Sequence, residues 1–336
     1  MRETLSVVIP VHDEAPYLRS TIDALVHAVA SSGFVAELVL VDDGSTDGSA
    51  DVAREAVADR LPLQIVTQPN RGRFDARRAG VEAARGEWVL LLDGRVRLRP
   101  RSLSFVRERV EAGEAVWNAH VHVDTEGNAY GAFWNVVTEL AWRAYFDEPR
   151  TTSFDAEDFD LYPKGTTCFL APRELVLGAL AAFRSGYADR RHANDDTPVI
   201  RWIAERESIH LSPSFSCDYR PRATLISFVS HSIHRGIVFL DGHGRQESRF
   251  YPVAVAFFPV SAGLALASLR WPRLVPALAL GVGATAAAVA ALARRTPFET
   301  ASVAVLAPVY AVAHGAGMWR GLALRAHGRR RAGAVA

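Results

Sequence analysis

Residues 86–99 read GEWVLLLDGRVRLR, and the organisation of the rest of the chain follows from this stretch. Residues 88–92 are an unbroken apolar run, the pattern of a parallel strand buried on both faces. The run stops at Asp93-Gly94, where the chain must turn, and arginines then alternate at positions 95, 97 and 99. In open α/β sheets ligands bind beyond the carboxyl ends of the strands. A carboxylate there is a site candidate; the plainer alternative is that Asp93 only begins a turn.

The residues upstream repeat the same design. Residues 5–11 (LSVVIPV) predict a first strand, followed by His12-Asp13-Glu14 and a helix to about residue 30. Residues 37–41 (ELVLV) predict a second strand, then Asp42-Asp43-Gly44-Ser45-Thr46-Asp47 as turn and cap of a helix running to about residue 58. Residues 63–67 predict a third strand, and Asn70-Arg71-Gly72-Arg73 precedes a helix ending near residue 84. Strand and helix alternating at this spacing imply a mostly parallel sheet with helices on both faces. No Gly-x-Gly-x-x-Gly follows the first strand, which argues against a dinucleotide site.

Beyond Pro100 the alternation loosens. The pattern predicts a strand over 115–123, an aromatic-rich helix over 130–146, an acidic loop over 151–163, a strand over 164–170 and a helix over 195–206. Residues 222–240 place apolar side chains at 225, 229, 233, 237 and 240, with His231, His234 and Arg235 elsewhere, which suits a helix lying on a membrane surface. Residues 250–269, 274–293 and 300–319 each hold roughly 20 residues without a formal charge, the length that crosses a bilayer. Gly281, Gly283, Ala287 and Ala291 suit close helix packing in lipid.

Composition excludes some classes. The net charge of +1 gives no hint of a nucleic-acid partner. Lys164 is the only lysine, so nearly all positive charge is arginine. Two cysteines, Cys168 and Cys217, are too few for a disulfide framework and read as reduced thiols. Met1-Arg2-Glu3 runs straight into a strand, which predicts no signal peptide and a cytoplasmic N-terminal part. The expected organisation is a cytoplasmic domain over 1–221, an amphipathic interfacial segment over 222–249, a membrane region over 250–319 and a basic tail over 320–336.

Three blocks in order, VVIPVHDEAPYLRSTIDAL, ELVLVDDGSTDGSADVA and GEWVLLLDG, resemble the GT-A glycosyltransferases of family 2. The resemblance covers the first hundred residues; GTTCFLAPREL, NDDTPVIRWIAE and SHSIHRG extend it more weakly over 165–236. It implies a GT-A type α/β fold, a mostly parallel mixed sheet with flanking helices, here joined to C-terminal transmembrane helices. It implies an inverting transferase taking a nucleotide-diphosphate sugar donor, a lipid-linked or glycan acceptor and contact with membrane lipids. Polyprenyl-phosphate transfer and a non-catalytic nucleotide-sugar-binding subunit remain as alternatives. The positions that would hold base and ribose are Pro10, His12, Glu14 and Asp43, with Asp42 beside them; Arg71 and Arg73 fall near the nucleotide. Asp196 aligns with the family's catalytic base and Asp195 with the acid before it, although either also suits a helix cap.

The departure is at the centre. The family's Asp-x-Asp, whose later Asp helps bind Mg²⁺ or Mn²⁺, reads Asp93-Gly94-Arg95 here. Three explanations stay open: a metal on Asp93 with phosphate and water completing its shell, Arg95 as a cationic substitute at the diphosphate, or an inactive site. Topology is also divided. Three spans put the tail outside, while Arg320, Arg325, Arg329, Arg330 and Arg331 favour the cytoplasm; Pro252 and Pro259 leave a re-entrant first segment and a two-span hairpin as the alternative.

Overall fold

A computed structural model of the chain describes residues 3–333 except 245, 247 and 249. Within it the chain forms two compact units. One comprises residues up to Val123 with Trp142–Arg184 and Asp195–Arg220; the other comprises Asp124–Ala141, Ser185–Asn194 and the chain from Pro221 onward.

The first unit is built on a nine-stranded mixed sheet. Its strands are β1 (Thr4–Val11), β2 (Val35–Asp42), β3 (Leu63–Thr67), β4 (Trp88–Leu92), β5 (Val96–Leu98), β6 (Val116–Val123), β7 (Thr152–Phe154), β8 (Cys168–Pro172) and β9 (Ile209–Tyr219). The order β3-β2-β1-β4 is parallel throughout. β8 then joins β4 antiparallel, with Leu92 opposite Cys168. Because β8 runs backwards, the residues just before it arrive at the same edge where β1, β2 and β4 end. The Asp93 N–H confirms the junction by donating to the Thr167 carbonyl at 2.9 Å. β9 pairs parallel with β6 and carries β7 and β5 on its two halves.

All of β4 is buried, as its apolar run requires when both faces are covered. On one face Leu18, Ile22 and Leu25 of the helix Ala15–Ser32 pack with Val7, Ile9, Leu38 and Leu90. On the other, the helix Arg73–Ala83 comes so close that a side chain at Gly80 would collide with Val8 and Val41. Cys168 and Cys217 are buried free thiols.

Several expected elements shift. The helix over 130–146 divides into Ala129–Ala141 and Arg143–Phe146. The acidic loop contains β7 and a short 3₁₀ turn, Phe159–Leu161. The strand expected from residue 164 begins only at Cys168, because the Lys164 ammonium donates to the Phe159 and Tyr162 carbonyls and holds residues 164–167 as loop.

In the second unit three helices are long and apolar enough to cross a membrane: Tyr251–Arg270, Leu274–Leu292 and residues Pro297–His327 of a helix that continues to Gly333. Leu266, Leu269, Leu280 and Val312 are exposed on them, as side chains facing hydrocarbon would be. The helix Leu225–His243 lies against the last of these, backbone to backbone at Gly236 and Gly317. A side chain at Gly236 would strike the His314 carbonyl, and one at Gly317 the Ile233 carbonyl. Phe133, Phe228, Val303 and Leu306 form the core at one end of this packing. The side chains of Arg329, Arg330 and Arg331, with residues 334–336, lie outside the described residues, as do Met1 and Arg2.

Candidate active site

The loops after β1 and β2 are laced together by short polar side chains. Asp13 accepts from the Thr46 N–H at 2.8 Å, Asp47 from the Ala15 N–H at 2.8 Å, and Ser49 Oγ from the Glu14 N–H at 3.0 Å. Asp42 accepts from the Ser45 N–H at 2.8 Å and so closes its own turn. Pro10 lies in β1 opposite Val41.

Asp43 is buried and fully used. Its carboxylate accepts from Gln68 Nε2 at 2.7 Å and from the backbone N–H groups of Arg71 at 2.8 Å and Gly72 at 2.9 Å. The Asp43 carbonyl accepts from His12 Nδ1–H at 2.9 Å, which leaves Nε2 to accept from Asn70 Nδ2 at 3.0 Å. His12 is therefore held as a fixed, exposed ring beside Arg71 and the 70–72 loop.

That loop leads into the helix Arg73–Ala83, and the helix carries the centre of the site. The Arg77 guanidinium meets three carboxylates: Asp93 at 3.0 Å, Asp196 at 3.1 Å, and Asp195 in direct contact. Thr166, from the loop before β8, donates to the same Asp196 oxygen that Arg77 holds. Side-chain exposure ranks the group: Arg77 3%, Asp195 7%, Asp93 22% and Asp196 39%. Asp196 is thus the carboxylate an incoming molecule reaches most easily.

Burial alone would lower the proton affinity of Arg77. The three carboxylates, Asp195 foremost, reverse that and hold it above the ordinary arginine range. Burial pushes Asp195 up against the pull of Arg77, and the Asp196 charge beside it adds to the rise. Arg73, one turn earlier, is raised by Asp195 above all. Three carboxylates face two guanidiniums, Arg77 and Arg73, which leaves one negative charge in excess.

The structure thus brings Asp93, Asp195 and Asp196 together, with Arg73 adjoining, and sets His12, Asp43 and Arg71 as a second group joined to them through one helix. Glu14 and Arg95 form a third. Arg95 Nε and Nη2 reach the two Glu14 oxygens at 2.6 and 2.9 Å, and its guanidinium lies 4.5 Å from the Tyr17 ring centre. Contact of Arg95 with a diphosphate would require this buried fork to open.

Arg77 and Thr166 were missing from the sequence expectation. A signal for Arg77 existed. Phe74, Arg77 and Val81 recur at helical spacing on the buried face, and a cation on such a face must find anions.

Asp93 suits a hard divalent cation in one respect: it offers a partly open carboxylate within a cluster of surplus negative charge. Among the described residues no group of three or more His, Cys, Asp or Glu side chains is placed to hold a metal ion. An ion on Asp93 would therefore complete its shell from donor phosphate oxygens and water.

The family model described as "Glycosyl transferase family 2" matches residues 6–174. Glycosyltransferase GlyG of Streptococcus pneumoniae is 25% identical over 134 residues, 39% of this chain and 44% of that protein. Undecaprenyl-phosphate 4-deoxy-4-formamido-L-arabinose transferase of Shewanella sediminis is 34% identical over 111 residues, 32% of this chain and 34% of that protein. The chain spans less than half the length of these two relatives. Among solved structures, the mannosyltransferase PcManGT of Pyrobaculum calidifontis, in complex with GDP-Man and Mn²⁺, is similar with a TM-score of 0.56 at 20% identity. The match covers 95% of this chain and 88% of that one, and it is a likeness of fold.

Proposed function

Since this chain belongs to glycosyl transferase family 2, we propose that it moves a sugar, with inversion, from a nucleotide-diphosphate donor to a hydroxyl of a lipid-linked acceptor at the cytoplasmic membrane face. The observation that carries this reading is the gathering of Asp93, Asp195 and Asp196 on Arg77 with Asp196 left most open. The name of the Shewanella relative supports a lipid-linked acceptor, and three apolar helices support multi-pass anchoring.

Each group then has a part. His12 stacks on or hydrogen-bonds the base. Asp43 shapes the nucleotide loop by holding the Arg71 and Gly72 N–H groups. Arg71 and Arg73 face the diphosphate charge. Asp196 takes the proton from the acceptor hydroxyl as its oxygen bonds to the anomeric carbon, while the bond to the nucleoside diphosphate breaks and the leaving oxygen keeps the electron pair. Asp195 positions Arg77, and Arg77 orients Asp196. Glu14 and Arg95 brace the loop after β1. A divalent ion on Asp93 would supply charge neutralisation for the leaving group.

Isothermal titration of the full chain with nucleoside diphosphates, with Mn²⁺ or with EDTA, tests the donor half. Binding is expected to be at least roughly tenfold tighter with Mn²⁺, about 1.4 kcal/mol, and Asp93→Asn should erase the difference. Equal affinities in wild type would remove the metal from Asp93. Binding without sugar turnover for any acceptor would instead indicate a nucleotide-sugar-binding subunit.

A further inference from the structure

None of the residues above explains how the lipid end of an acceptor is held. In the second unit a cavity of about 570 Å³ lies along one face of the helix Leu225–His243. Leu225, Val229, Ile233 and Ile237 line it at intervals of four, a single apolar stripe. The stripe runs over 13 residues, 12 rises or about 18 Å of helix at 1.5 Å per residue. His192 and Arg320 also line the cavity, and they belong to its Ile237 end. The Tyr187 hydroxyl donates to the Ile237 carbonyl, the His192 ring lies 6.3 Å from the Tyr187 ring, and Gly321, next to Arg320, abuts Ile237.

The chemistry of that end is one-sided. Arg320 is a permanent cation on the cavity wall. His192 Nδ1 is buried with no hydrogen-bond partner among the described residues, and buried polar atoms are normally satisfied. Burial lowers the proton affinity of His192; Asp189 opposes this, while Arg320 and Arg191 add to the lowering. An anion at this end would neutralise Arg320 and, with a turn of the imidazole, give His192 Nδ1 the partner it lacks. Away from it the lining is Leu225, Ile226, Val229 and Ile233 with Ser230 and His234, and none of these carries a permanent charge.

We propose that this cavity binds the polyprenyl-phosphate part of a lipid-linked acceptor, with the chain along the stripe and the phosphate joined to it at His192 and Arg320. The proposal rests on the lipid-linked acceptor reading and specifies its subsite. One stripe accommodates one chain, so the occupant is a single-chain prenyl phosphate and not a two-chain phospholipid. The helix bearing Arg320 suits such a depth. The 31 residues of Pro297–His327 extend about 46 Å, against about 30 Å of hydrocarbon, so the helix reaches past the apolar layer to where phosphates lie.

The test measures binding of decaprenyl phosphate, decaprenol and diacyl phosphatidic acid to the full chain in detergent. Wild type is compared with Val229→Trp, which fills the stripe, and with Arg320→Gln, whose exposed position spares the fold. Decaprenyl phosphate is expected to bind at least roughly tenfold tighter than either other lipid. Arg320→Gln should remove its advantage over decaprenol, and Val229→Trp should abolish binding of both prenyl lipids. Equal binding of decaprenol and decaprenyl phosphate, equal binding of phosphatidic acid, or indifference to both substitutions would overturn the assignment. Nucleoside diphosphate titration on the same samples separates the two levels. Intact nucleotide binding with no prenyl-phosphate selectivity defeats the cavity proposal alone, whereas a wild type that binds no nucleotide defeats the transferase reading beneath it.

Discussion

Asp196→Asn should lower turnover by about 10²–10⁴-fold, the usual worth of a general base, while nucleoside diphosphate binding persists. The asparagine keeps the shape of the side chain and can still accept from Thr166 and Arg77 through its carbonyl oxygen. What it loses is the capacity to take a proton. A loss confined to turnover, with the melting transition unmoved, would match a group that acts on the acceptor. Unchanged turnover would mean that the attacking oxygen needs no base, as in transfer to a phosphate that is already anionic. The polyprenyl-phosphate alternative would then replace the hydroxyl acceptor.

Arg77→Met should be the most damaging single change to stability. Removing one member of a buried ion pair costs about 3–5 kcal/mol, because the remaining charge is left without compensation. Here the charge that loses its direct partner is Asp195, 7% exposed, with Arg73 left as the cation acting on it. Burial already favours its neutral form, and without Arg77 that preference strengthens. A carboxyl whose folded pKa stands above its unfolded value gains stability relative to the unfolded chain as pH falls through the folded pKa. The variant should therefore recover part of its deficit on acidification from neutrality toward pH ~4, the ordinary carboxyl range. Arg77→Met combined with Asp195→Asn should recover part of it at neutral pH as well. Chemical denaturation monitored by circular dichroism measures both effects. A single variant as stable as wild type at pH 7 would show that Arg77 is not the ionic keystone of the aspartates.

The two halves of the sheet differ in how openly the sequence announces them. β1 to β4 are parallel and covered on both faces, so each reads as an apolar run followed by a polar turn. β9 escapes this rule. Its sequence, IHLSPSFSCDY, interleaves serines and a proline, yet Ser212 and Ser216 are buried. Their bonds reach distant parts of the chain: Ser212 Oγ bonds Thr151 Oγ1 at 2.7 Å, and the Ser216 backbone carbonyl accepts from Ser102 Oγ at 2.7 Å. The register shift between Ala119 and His120 of β6 falls opposite the Pro213 region, where the ladder is interrupted. Buried polar residues whose partners lie far along the chain leave no periodicity to read.

The site divides in the same way. Asp93, Asp195 and Asp196 could be picked out because they follow strands or open a helix, positions where carboxylates carry chemistry. Arg95 stood in a motif position, but a motif records neighbours along the chain and Glu14 is its neighbour only in space. Arg77 sits mid-helix, where no turn or cap marks it. Its meaning depends on Asp195, 118 residues away, and separations of that kind become visible only when the chain is folded.

The glycine contact between the helix Leu225–His243 and the last apolar helix has a further consequence for how the bilayer acts on the protein. Spanning helices ordinarily tilt to match the thickness of the hydrocarbon around them. Two helices joined at Gly236 and Gly317 without intervening side chains lack the soft layer that would let one lean independently. A change of tilt imposed by thinner or thicker lipid would reach both walls of that cavity at once, which would make membrane thickness a tuning parameter for the lipid binding proposed there.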